Sequence, residues 1–102
     1  MSYRIVFSPE AEEQLATLYI YLAEAASPDI AFGYTEAIVK YCESLHTFPI
    51  RGTTRDDIRP GLRISNYKKR VVIAFCVDEE EKQVSIIGLF YAGQNYETIL
   101  QD

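Results

Sequence analysis

The residues of this 102-residue chain best equipped for chemistry are a run of cations in its second half. Residues 51 to 70 carry Arg51, Arg55, Arg59, Arg63, Lys68, Lys69 and Arg70 against only Asp56 and Asp57. That window is +5 in a chain whose total is −5, so the remainder stands at −10. Clustered guanidinium and ammonium groups can steady a phosphate or pair with the carboxylates of an acidic partner, and the first becomes catalysis only where an acid and a base converge on the same atoms. His46, the only histidine, falls near the end of a helical pattern, where a cation complements the helix dipole. Glu10, Glu12 and Glu13, like Glu79 to Glu81, read as a solvated helix start and a hairpin turn, and residues 83 to 102 hold no Lys, Arg or His. Cys42 in a helical pattern and Cys76 in an apolar run read as buried free thiols, so neither a disulfide nor a metal is expected. No phosphate loop or nucleophile elbow is present, and no cofactor is expected.

The elements that must position these groups follow from local patterns. Tyr3, Ile5 and Phe7 alternate with Arg4 and Val6 as a first strand. Ser8-Pro9 and the acids behind them start a helix over about 9 to 25, whose apolar stripe is Ala11, Leu15, Leu18, Leu22 and Ala25. Ser27-Pro28-Asp29 repeats the signal, and Ala31, Tyr34, Ile38, Tyr41 or Cys42 and Leu45 carry a second helix to about 46; so short a link predicts an antiparallel helical hairpin. A polar loop then runs to the Arg59-Pro60-Gly61-Leu62 turn. Strands follow over 62 to 65, 71 to 77 and 84 to 91, the last two joined by the acidic turn 78 to 82. A last helical turn over 94 to 100 stays open. The expectation is one α+β domain, residues 1–102, with an N-terminal strand, a helical hairpin and a three-stranded antiparallel meander, the hairpin covering one face of a four-stranded sheet.

One feature of the strands points beyond the fold. Val71 to Val77 is apolar on both parities, and so is 84 to 91, with Val84, Ile86 and Phe90 on one and Ile87, Leu89 and Tyr91 on the other. One hairpin covers one face. The other must be covered by the loop over 48 to 60 and the C-terminal residues, or by another chain, and a partner chain is the favoured reading.

The ordered signals Phe7-Ser8-Pro9-Glu10-Ala11, Ser27-Pro28 with Ala31, Leu45 with Phe48-Pro49 and Gly52, Arg59-Pro60-Gly61-Leu62-Arg63, and Ile87-Gly88-Leu89-Phe90-Tyr91-Ala92-Gly93-Gln94-Asn95-Tyr96 resemble the ParE branch of the RelE/ParE toxin superfamily over nearly the whole chain. The resemblance implies the toxin of a type II toxin–antitoxin (plasmid stabilisation) system, neutralised by a ParD-like antitoxin and inhibiting DNA gyrase by protein–protein binding. The ribonuclease branch, which cleaves messenger RNA on the ribosome, is the alternative, as is a degenerate member that binds its antitoxin and harms nothing. Arg63 matches the family's arginine at the start of the sheet, and Tyr91 or Tyr96 could serve as an acid. The missing late arginine leaves catalysis short of its equipment, so no catalytic residue and no enzyme is expected.

On this reading Leu62, Arg63, Ile64, Tyr67, Val72, Ala74, Leu89 and Tyr91 receive the antitoxin, and Arg55, Arg59, Lys68, Lys69, Arg70, Gln94 and Tyr96 meet the target. Only Tyr67, beside Lys68 to Arg70, approaches an aromatic nucleic-acid platform, so no direct nucleic-acid partner is expected. No apolar run approaches a membrane span and the first residues lack a signal peptide's apolar region, from which no membrane role and a cytoplasmic location are expected.

Overall fold

Both helices begin where the serine–proline signals put them. In the computed structural model, which describes residues 2–91 and 93–101, the Ser8 hydroxyl accepts the Ala11 N–H at 3.0 Å to open α1 (Pro9–Ala25), and Ser27 accepts the Ile30 N–H at 3.2 Å to open α2 (Pro28–Glu43). Ala92, quoted above in the final motif, lies outside the described residues, as do the first and last residues of the expected domain. The second helical pattern reaches 46, as expected, by tightening into a 3-10 turn over Ser44–His46. Ala25, placed on the apolar stripe of α1, is exposed as the last residue of the helix.

The sheet has five strands rather than four, in the order β1-β5-β4-β3-β2. β1 (Arg4–Phe7) runs parallel to β5 (Gln83–Tyr91), while β3 (Leu62–Tyr67), β4 (Val71–Asp78) and β5 form the expected antiparallel meander. The unforeseen strand, β2 (Thr53–Thr54), is two exposed residues long and carries no alternation to read. Gly52, at φ 75°, brings it in: a Cβ there would lie 2.2 Å from the Ile64 carbonyl oxygen, so only glycine permits the approach. Gly61, at φ 79°, with the Leu62 N–H donating to the Arg59 carbonyl at 3.1 Å, makes the expected turn into β3.

Apolar character on both parities has a geometric cause. In β5 Ile86 pairs with Phe75 and Gly88 with Ala74, which leaves Ile87 as one extra residue, a β-bulge. The extra residue reverses the parity of everything after it. Val84 and Ile86 before the bulge and Leu89 and Tyr91 after it therefore share the hairpin-covered face with Val71, Ile73 and Phe75, against Ala11, Leu18, Ile38, Cys42 and Leu45. Ile87 and Phe90 turn the other way.

That other face is closed by the chain itself. Leu62, Ile64, Ala74 and Phe90 form a second, smaller core with Ile58 of the preceding loop and with Tyr96 and Leu100 of α3 (Tyr96–Gln101). The favoured expectation of an open face awaiting another chain is thus corrected, since a short helix too weak to read securely from sequence supplies the lid. Leu100 is 6% exposed although it stands near the end of the chain. Leu100→Ala is expected to cost about 2 kcal/mol, the lower end for a buried leucine. Urea unfolding should show it as a lower midpoint at unchanged slope; a loss below about 0.5 kcal/mol, the size of an ordinary surface substitution, would mean the lid is not packed.

Candidate partner-binding surfaces

Four of the seven cations in the basic window are turned inward to fasten loops. Arg51 donates from Nε to the Phe48 carbonyl at 2.8 Å and from Nη2 to the Ser44 carbonyl at 3.0 Å, and Arg63 donates to the Arg51 carbonyl at 3.2 Å. Arg59 reaches the Leu100 carbonyl at 2.8 Å. Arg55 forks onto both oxygens of Asp57, at 2.9 and 2.8 Å, and extends to the Tyr96 hydroxyl at 2.9 Å and Glu97 at 2.6 Å. Arg55, Arg59 and Tyr96, expected to meet a target, are engaged within the chain, as the clasp that holds α3 on the second core. The three differ only in being drawn from the loop or from the helix.

The clasp is electrostatic but wet. The Asp57 and Glu97 side chains are 65% and 51% exposed, so salt and water screen both pairs; the Asp57 fork orients Arg55 within its own loop, and the Tyr96 and Glu97 contacts place α3. The Arg55 hydrogen bonds hold the Asp57 carboxyl below its ordinary value, and those to Asp57 and then Glu97 push Arg55 up.

The eight residues expected to receive an antitoxin do not form one surface. Leu62, Ile64 and Ala74 are buried in the second core and Val72 packs against it, whereas Arg63, Tyr67, Leu89 and Tyr91 belong to the hairpin side. Of the first four, Leu62, Ile64 and Ala74 are covered by the loop residue Ile58 and by α3, and Val72 is half-exposed. On the hairpin side Arg51 lies over the Tyr41 ring at 5.7 Å, Tyr41 packs against Tyr67 at 5.4 Å, and Lys68 lies over Tyr67 at 5.6 Å, a pair of rings with a cation at each end. Tyr34 meets Tyr91 edge-on at 6.0 Å; burial, then Tyr91, raises its phenol, with Arg70 opposing.

Lys68, Lys69 and Arg70 form the tip of the β3–β4 hairpin. All three are exposed and, among the described residues, make no side-chain hydrogen bond or ion pair; Lys68 and Lys69 stand at φ 50° and 64°, in the left-handed region. The turn is closed by the Arg70 N–H donating to the Tyr67 carbonyl at 3.2 Å and by the pairing of Tyr67 with Val71, so the hairpin itself holds the three cations together at its tip.

A groove of about 460 Å³ opens on the opposite side of the sheet from β2, beside the last residues of β5. Leu18, Tyr21, Val71, Leu89 and Tyr91 give it apolar walls; Glu10, Glu13, Gln14, Thr17 and Gln94 give it a polar mouth. Leu89 and Tyr91 were anticipated as contact residues and Gln94 as a target residue, while the α1 contribution was missed. The signal was there: Gln14 breaks the Ala11–Leu18 line of the buried stripe with a polar side chain. Its Oε1 accepts the Leu89 N–H at 2.7 Å, and Gln94 Oε1 accepts the Tyr91 N–H at 2.8 Å.

The thiols offer no reactive centre. Burial pushes Cys42 up to about 12, with Glu43 adding, and burial likewise raises Cys76 against an opposing pull from Arg59. Among the described residues no cluster of His, Cys, Asp or Glu could hold a metal ion, and no helix is long and apolar enough to cross a membrane.

A family model described as the ParE toxin of the type II toxin–antitoxin system, parDE, matches residues 5–96. The chain belongs to the ParE toxin family. The family's α+β architecture extends to solved structures at low sequence identity. One is a chain of the chromosomal ParDE toxin–antitoxin system from P. aeruginosa, 18% identical, covering 89% of this chain and 97% of that one with a TM-score of 0.76. Another is a chain of the RelBE2 toxin–antitoxin complex from Mycobacterium tuberculosis, also 18% identical, covering 92% and 95% with a TM-score of 0.66. No curated protein sequence matches the chain.

The clasp on this ParE-family chain has a pH signature. Because the folded Asp57 value is depressed, its contribution is complete above the ordinary carboxylate range, about pH 4, and is lost as pH falls through the lowered folded value. Amide exchange over residues 96–101 should therefore speed up on acidification below about pH 4 beyond the chemical trend. In Arg55→Ala it should already be fast at neutral pH; exchange there equal to the parent would show that Arg55 does not hold α3.

Proposed function

We propose that this chain is a toxin neutralised by a ParD-like antitoxin and acting on DNA gyrase by protein–protein binding rather than by catalysis. The observation that carries the reading is the hairpin tip: of the seven cations in the basic window, Lys68, Lys69 and Arg70 are the exposed ones that make no side-chain hydrogen bond or ion pair among the described residues, and they are presented together on one turn. Family membership supports the toxin–antitoxin part. The gyrase part rests on the expectation drawn from the ParE branch together with this tip.

A binding mode is favoured over ribonuclease chemistry because the candidate groups do not converge. Arg63 is engaged by the Arg51 carbonyl, Tyr91 lies on the hairpin side, and Tyr96 lies across the sheet with Arg55. Transfer at a phosphate needs acid, base and cation around one site. An acidic, partly disordered antitoxin would be steered by the basic tip and would contact the hairpin-side rim, Tyr67, Leu89 and Tyr91, rather than the sealed second face.

Purified toxin at micromolar concentration is expected to inhibit supercoiling by purified gyrase. Reversing the tip in the combined variant Lys68→Glu, Lys69→Glu and Arg70→Glu should weaken inhibition by at least about tenfold, as like-charge contacts oppose docking. An unaffected supercoiling reaction with parent toxin would remove gyrase as the target, and an equally potent triple variant would remove the tip as the contact.

A further inference from the structure

β5 is longer than its neighbour on one side. β1 pairs with it only as far as Phe7 against Ile86, after which the Ile87 bulge and the Ser8-Pro9 turn carry the two chains apart. Gly88–Tyr91 keeps β4 on one side and, among the described residues, has no strand on the other. An exposed edge of this kind templates pairing with another extended chain unless it is blocked.

Here it is blocked by imitation. The two outward N–H groups, two residues apart on Leu89 and Tyr91, donate to the side-chain amide oxygens of Gln14 and Gln94, at 2.7 and 2.8 Å. Those oxygens stand where the carbonyls of a neighbouring strand would stand. Each is carried on a side chain that can swing away at modest cost, because exchanging one amide carbonyl for another leaves the N–H satisfied throughout. Beside the edge lies the groove of about 460 Å³, within the ~300–1,000 Å³ range that holds a ligand. Glu10 and Glu13, exposed and one turn apart, form its mouth and make no ion pair among the described residues.

We infer that the Gly88–Tyr91 edge of β5 receives an extended segment of the antitoxin as an added strand, with an apolar side chain seated between Leu18, Tyr21 and Tyr91 and a lysine or arginine nearby meeting Glu10 and Glu13. This rests on the antitoxin reading above and names where and by what chemistry the partner binds. Strand addition gives affinity through the main chain, and alternate side chains give selectivity. The acidic mouth selects the occupant. A second copy paired edge to edge about a two-fold axis would bring both Glu10–Glu13 pairs toward each other, whereas a basic and apolar segment is complementary. The hairpin tip, at the same end of the sheet, would take an acidic part of the same partner.

The test uses the full-length toxin and the product of the open reading frame adjacent to its gene, with backbone exchange by mass spectrometry and affinity by calorimetry. In the complex, exchange over 87–91 is expected to slow by at least about tenfold. Glu10→Lys with Glu13→Lys should weaken binding by about tenfold or more, and Gln14→Ala, which removes a competitor for the Leu89 N–H, should leave affinity unchanged or tighten it. Thermal melts establish that each variant is folded. Tight binding with unaltered exchange at 87–91, or tolerance of the charge reversal, overturns the edge site while the antitoxin reading stands. Protection of 87–91 that grows with toxin concentration in the absence of partner assigns the edge to a second copy and overturns it as well. Failure of the two proteins to bind overturns both readings.

Discussion

A single inserted residue in β5 sets the terms for the rest of the molecule. A strand offers its side chains alternately to two faces, and a regular β5 would place Val84 and Ile86 against the helical hairpin only by sending Leu89 and Tyr91 to the opposite side. The bulge at Ile87 returns them to the hairpin and at the same step turns Phe90 into the second core. It also ends the pairing with β1, whose last residue faces Ile86 just before the bulge. Two cores and one free edge thus follow from the same irregularity.

The charge distribution obeys a similar economy. An isolated basic segment on an acidic body looks like a recognition surface, yet most of its guanidinium groups bind backbone carbonyls of the chain itself. Arginine suits this because its planar fork reaches several acceptors at once, as Arg55 does across the loop and α3. The two lysines are left at the hairpin tip with Arg70, where water keeps the charge and no internal acceptor competes. The two proposed contact surfaces, the basic turn between β3 and β4 and the acid-mouthed edge along β5, therefore lie at the same end of the sheet, where Val71 pairs with Tyr91.

What the sequence disclosed was local. Ser8-Pro9 and Ser27-Pro28 announce helix starts because the capping hydroxyl and the N–H it accepts lie three residues apart, and Pro60-Gly61 announces a turn for the same reason. The parallel pairing of β1 with β5 joins residues about eighty positions apart, and β2 exists only because Gly52 lets two exposed threonines approach β3; neither leaves a periodic trace. The apolar strands were legible but their meaning was not. Period-two reasoning assumes an unbroken strand, so the bulge made β5 look greasier on both faces than it is, and the six-residue α3, too short to stand alone, was undervalued as a cover. Of the residues proposed as contacts, Lys68 to Arg70, Leu89 and Tyr91 were expected from type and position, while Glu10, Glu13 and Gln14 belong to a helix start whose ordinary roles hid them.

The central claim is that the isolated chain closes both faces of its own sheet, which leaves the edges and the hairpin tip for the proposed partners. Proton–proton Overhauser effects between the Tyr96 and Phe90 rings, whose centroids stand 6.1 Å apart, measure this directly in solution. Clear cross-peaks in the absence of any partner are the expected result. Their absence, with Tyr96 at solvent-exposed chemical shifts, would mean that the second face lies open and that a docking groove across it is the correct description.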